Sequence, residues 1–178
     1  MRHVPAILTA IGVLGGAACG AGAPCPETAE DQLASPDPGV PIGFVRVTVV
    51  GVLPTPQGNA LLLRSDEVGR VLPVFIGDAE ANVIQLRLAG EHFERPLTHD
   101  LLDTIMERLG GDLVRVLVVK LRGDVFIGTV VVRRGEGYYE IDARPSDAVA
   151  LAVGHNAPVY VAKRVMEAAG LPLDEIMP

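Results

Sequence analysis

"DLVRVLVVKLRGDVFIGTVVVRRG", residues 112–135, consists of two aliphatic, β-branched runs joined across Gly123-Asp124. Val, Ile, Phe and Thr suit a pleated, half-buried surface, and a Gly-Asp step between two such runs predicts an antiparallel hairpin. The first run is apolar on both faces, with Leu113, Leu117, Val119 and Leu121 on one and Val114, Val116 and Val118 on the other. A strand of that kind needs cover on both sides. Helices can supply one cover. A second subunit is the simplest supplier of the other, so a homo-oligomer, a dimer or higher, is expected.

Further strands are expected on either side of the hairpin. "FVRVTVVGVLP" (44–54) is β-branched, with Arg46 and Thr48 on one face, and "NALLLRS" (59–65) and "RVLPVFIG" (70–77) follow across a polar turn. Pro73 has no N–H to give a ladder, so it marks an edge or an irregularity. "YYEIDA" (138–143) and "PVYVA" (158–162) complete the strands. Helices are predicted from Asp78 to about Ala89 with a stop at Gly90, and from a Thr98 N-cap to Gly110-Gly111. In the second, Leu101, Leu102, Ile105, Met106 and Leu109 fall at helical spacing. Pro145 opens a third helix to about Val153, and "KRVMEAAG" (163–170) a closing one. The pattern predicts an α+β or mixed α/β fold: one mixed, largely antiparallel β-sheet with helices packed against it.

The chain has 178 residues, 49% of them hydrophobic and 21% charged, which suits one globular domain with a tail. A net charge of −7 and the absence of Trp argue against a generally basic or base-stacking nucleic-acid binder. Any polyanion would meet a local patch, for which Arg115, Lys120, Arg122, Arg133 and Arg134 on the hairpin are the candidates. No P-loop, dinucleotide-binding fingerprint, HExxH or serine-nucleophile elbow is present.

The N-terminus reads as a targeting segment. Arg2 precedes an apolar run, Val4 to Ala18, of about fifteen residues, short of the roughly 20 that span a bilayer. Gly16-Ala17-Ala18-Cys19 is similar to a bacterial lipoprotein box, with Gly16 where an aliphatic residue is usual. The expectation is a signal peptide over 1–18, a flexible tether over 19–43 starting at a lipidated Cys19, and a folded domain over 44–178. The protein would then be exported to the cell envelope and touch the membrane only through its lipid. A soluble periplasmic or secreted form is the alternative. The cysteines, Cys19 and Cys25, both lie in this region, so the domain carries no cysteine-ligated zinc.

Two polar clusters stand at helix starts: "ERPLTHDLLDTIM" (94–106) and "ARPSDAVALAV" (143–153). Each sets an Arg-Pro pair before a hydroxyl and an aspartate. A purely structural reading is available, since Pro suits the first turn and Ser or Asp satisfies its amides. His92 and His155 have no second histidine at a metal-ligand spacing and read as incidental.

With "LPVFIGDAEANVIQLRLAG" (72–90) and "APVYVAKRVMEAAG" (157–170), these clusters resemble the bifunctional nuclease family over about Phe44 to Gly170. The resemblance implies a mixed α/β fold, self-association and hydrolysis of phosphodiester bonds in DNA and/or RNA. That chemistry needs an activated water, charge stabilisation on phosphate and proton transfer. Arg95 and Arg144 are candidates to hold phosphate, with Ser146 beside the second. His99 is the candidate to move protons. Asp100, Asp147 and Glu80 are the candidates to hold a divalent cation, Mg²⁺ or Mn²⁺. The rival reading is a non-enzymatic, homo-oligomeric binding or scaffold domain at the cell envelope, its clusters serving as buried salt bridges or interface contacts.

Overall fold

A computed structural model describes residues 39–91 and 94–176. Cys19, Cys25 and His92 lie outside the described residues, as do the expected signal peptide and most of the tether. β1 (Phe44–Thr55), β2 (Gly58–Ser65) and β3 (Arg70–Ile76) form a meander. α1 (Asp78–Leu88) and α2 (Thr98–Arg108) follow, then the hairpin β4 (Gly111–Arg122) and β5 (Val125–Arg134), and β6 (Gly137–Ala143). The chain continues through α3 (Pro145–His155), β7 (Val159–Ala162) and α4 (Lys163–Ala169). It then adds β8 (Leu171–Pro172) and α5 (Leu173–Ile176) beyond the expected closing helix.

Among the described residues one eight-stranded sheet results, ordered β6-β5-β4-β7-β1-β2-β3-β8. Every pairing is antiparallel except β4 with β7, so the sheet is mixed and largely antiparallel, as expected. Pro73 sits where the ladder can spare an N–H: β8 pairs only Arg70 and Val71 of β3, leaving the outer edge open at Pro73.

Val45, Leu61, Leu63, Leu72, Val116 and Val118 project from one face of the sheet into the main core, against Ile84 of α1 and the buried face of α3. α3 is rich in buried alanines, which let its backbone lie close to the sheet and α1. Asn156, in a left-handed conformation, ends it. No helix among the described residues is long and apolar enough to cross a membrane.

The hairpin departs from strict alternation. Register shifts between Leu113 and Arg115, and between Val118 and Lys120, interrupt the pleat. Leu113 therefore packs on the main core with Val116 and Val118, while Val114 joins Leu117 on the other face. A bulge swaps side chains between faces in this way. That other face is not bare: Leu117, Val131 and Tyr160 are buried there among Phe44, Val114, Val119 and Tyr138.

Unpartnered apolar surface appears instead on α2, which has no buried residue despite its helical stripe. Leu101, Leu102, Ile105 and Leu109 are all exposed, Leu109 at 61%. Leu102, Ile105 and Leu109 border a groove of about 590 Å³ that reaches Tyr139 and Ile141 of the edge strand β6. Thr98 is the first helical residue rather than the N-cap. The cap is made by Asp100, whose Oδ2 accepts the Leu97 N–H at 2.9 Å, one half of a capping box.

Candidate active site

Three helix N-termini meet at one place. Glu80 lies in the first turn of α1, His99 in that of α2, and Arg144 and Asp147 at the start of α3. Pro145 fixes the backbone of the first α3 turn. Asp147, at i+3 from Arg144, meets the guanidinium in a fork: Nε to Oδ2 at 2.7 Å and Nη2 to Oδ1 at 3.1 Å. The third edge of the guanidinium, Nη1, meets Glu80 Oε1 at 2.7 Å. His99 Nε2 lies 3.3 Å from Asp147 Oδ1. The two Arg-Pro clusters therefore touch through His99 and Asp147.

The hydrogen bonds that Arg144 donates to Asp147, with the charge of that carboxylate, and then the bond to Glu80 raise the Arg144 pKa above the ordinary guanidinium value. Arg144 is a permanent cation, and its side chain remains 67% exposed. The His99 side chain is 14% exposed, and its Nδ1 is buried with no partner among the described residues. A buried ring nitrogen without a partner is uncommon, because its lost hydration is not replaced. If Nε2–H donates to Asp147, Nδ1 carries the free lone pair.

A cleft of about 290 Å³ opens beside the cluster. Phe75, Gly77 and Glu80 form one wall and Asp124 to Phe126, at the hairpin tip, the other; Arg144 to Ser146 line it at the α3 start. Ser146 is buried within that lining. Phe75 is exposed, a flat apolar surface lining the same cleft as the cation.

Other expected site residues go elsewhere. Arg95 is exposed and makes no contact with the cluster among the described residues. Asp100 turns away to Arg87, at 2.7 Å, besides capping α2. Glu80 and Asp147 come together, but around a guanidinium. Among the described residues no group of three His, Cys, Asp or Glu side chains is placed to hold a metal ion. The set Glu80, Asp100 and Asp147 does not fit a divalent cation in this arrangement. In the hairpin patch, Arg133 is paired with Asp112 at 2.8 Å.

The sequence reading missed Arg87, Asp103 and His155. His155 Nε2 lies 3.0 Å from Asp103 Oδ1, so this histidine is a structural partner rather than incidental. The available signal was an arginine, Arg87, between two leucines in the largely apolar run "VIQLRL" (83–88).

A family model described as the bifunctional nuclease domain matches residues 61–174. The chain belongs to the bifunctional nuclease family. The match starts inside β2 and ends in α5, so it contains every element that bears the cluster, while β1 precedes it. Two curated relatives are the proteins MT1877 and Rv1829, from two strains of Mycobacterium tuberculosis and both named as uncharacterized. Each is 38% identical over 130 residues, which is 73% of this bifunctional-nuclease-family chain and 77% of the relative.

Proposed function

We propose that this chain hydrolyses phosphodiester bonds of DNA and/or RNA at the Glu80–Arg144–Asp147–His99 cluster. The observation that carries the reading is the convergence of a cation, a carboxylate-bound imidazole and helix N-termini beside an open cleft. Helix N-termini and a guanidinium both favour a phosphate oxyanion. The phosphate would take over part of the Arg144 fork now held by carboxylate. Asp147 orients the His99 ring through Nε2, and the imidazole takes a proton from the attacking water. The water oxygen bonds to phosphorus as the P–O bond to the leaving group breaks. The leaving oxygen takes a proton from the imidazolium or from solvent.

The test is cleavage of plasmid DNA and of RNA by the full chain and by Arg144→Ala, with and without EDTA. Arg144→Ala should raise KM about tenfold and reduce the salt slope of binding by about one phosphate contact. An unchanged KM and salt slope in a cleaving Arg144→Ala protein would remove the phosphate from Arg144. The EDTA arm decides whether a metal takes part at all.

A scaffold reading draws support from the same guanidinium, which already faces two carboxylates. Self-association suits either reading. We infer that it runs through α2 and β6 rather than through the hairpin face, because that is where Leu102, Ile105, Leu109, Tyr139 and Ile141 are exposed around one groove. Light scattering of the wild type should show a dimer or higher, and Leu102→Glu with Ile141→Lys should give a folded monomer. A wild-type monomer at about tens of micromolar, a concentration at which specific interfaces of standard size assemble, would contradict this.

A further inference from the structure

A polar clamp holds α2 in place. Arg87, on α1, has a side chain only 8% exposed, and its guanidinium reaches both neighbouring helices. Nη1 donates to the Ala150 carbonyl of α3 at 2.9 Å. Nη2 donates to Asp100 Oδ1 at 2.7 Å and to Asp103 Oδ2 at 2.6 Å, both on α2. His155 of α3 meets the other Asp103 oxygen. Asp100 and Asp103 stand at i and i+3, so they share one face of α2. A planar guanidinium with several donors can serve two carboxylates and a carbonyl together, which an ammonium cannot do in that geometry.

Gly154 makes the crossing possible. A Cβ at that position would run into Arg87 Nη1 and lie 3.1 Å from its Cζ. Glycine is unfavourable inside a helix relative to alanine, so a glycine near the end of α3 calls for a packing reason. The guanidinium supplies one.

These contacts matter for the site because α2 has no buried residue of its own. His99 precedes Asp100 directly, and its Nε2 brings α2 to within 3.3 Å of Asp147 Oδ1. We propose that Arg87 is a positioning residue: through Asp100 and Asp103, and by virtue of the space left at Gly154, it sets α2 so that His99 rests on Asp147. The inference rests on the His99–Asp147 site proposed above.

The test uses the full chain with Gly154→Ala, which displaces the guanidinium and leaves residue 87 intact, and with Arg87→Lys, which keeps the charge and loses the fork. Amide exchange over residues 98–108 should quicken about tenfold or more in both, with β4 and β5 changed by less than about twofold. The cleavage kcat should fall about tenfold to a hundredfold with KM nearly constant. In a His99→Ala background, Gly154→Ala should cost nothing further. A third readout needs no activity: Asp147→Asn should shift the His99 ring resonances in the wild type and leave them unmoved in Gly154→Ala.

Unchanged exchange over 98–108 overturns the clamp. Faster exchange with intact kcat, or with His99 still sensitive to Asp147, overturns the positioning role. A wild type that cleaves nothing would refute the nuclease reading, and the exchange and resonance results would still decide the clamp.

Discussion

His99→Ala is expected to slow phosphodiester cleavage by about 10²–10⁴-fold, the usual contribution of a positioned general base. The fold should survive, with unfolding free energy within about 2 kcal/mol of the wild type, because the ring sits at a helix start and not in the sheet core. The expectation rests on what each ring nitrogen meets. Nε2 lies against Asp147, and Nδ1 has no partner among the described residues. A histidine that only stabilised α2 would show the reverse: lost stability with cleavage per folded molecule unchanged. Single-turnover rates measured beside urea unfolding on the same preparations separate the two.

Gly128→Val is expected to damage fold and site together. Gly128 lies on β5, opposite Val118 of β4 and Ala143 of β6. A Cβ there would sit 2.9 Å from the Ala143 carbonyl oxygen and 3.2 Å from the Pro145 nitrogen and Cα. These are backbone atoms at the root of α3, so no rotamer change relieves the contact. Overpacking of this kind costs about 1–3 kcal/mol. The displaced segment holds Arg144, so cleavage should fall further than the folded fraction does. Thr129→Val, one residue along and pointing to the opposite face, should leave both nearly unchanged. Urea unfolding and cleavage rates for the pair check this, and a Gly128→Val protein as stable as the wild type would show that the α3 root is not tightly seated.

The elements were legible because they are local. Gly123-Asp124 between β-branched runs, the open-edge Pro73 and Pro145 at a helix start each follow from short-range sterics. The Arg144–Asp147 pair is the local part of the site, since i,i+3 spacing on a helix start brings the two together. The stripe on α2 shows where such reading stops. Helical spacing of Leu101, Leu102, Ile105 and Leu109 reports that one face is apolar, but not what covers it, and the sheet leaves that face open. The Thr98 cap failed for a related reason: the helix starts one residue earlier, with Leu97 as N-cap and Asp100 Oδ2 accepting its N–H. Glu80 on Arg144 and His99 on Asp147 depend on three helices arriving together, which no window of sequence contains. Arg87 between two leucines signals a buried charge without naming its partners, and its partner feature, the missing side chain of Gly154, has meaning only once α1 and α3 are packed.

The most direct measurement of the central claim, that both Arg-Pro helix starts build one hydrolytic site, is a double-mutant cycle on single-turnover cleavage with His99→Ala, Asp147→Asn and the two combined. Residues that act as a unit are strongly non-additive. The double variant should therefore be about as slow as the slower single variant, with all three proteins still melting cooperatively. Losses that multiply, or cleavage that persists at the wild-type rate in all three, would contradict the claim.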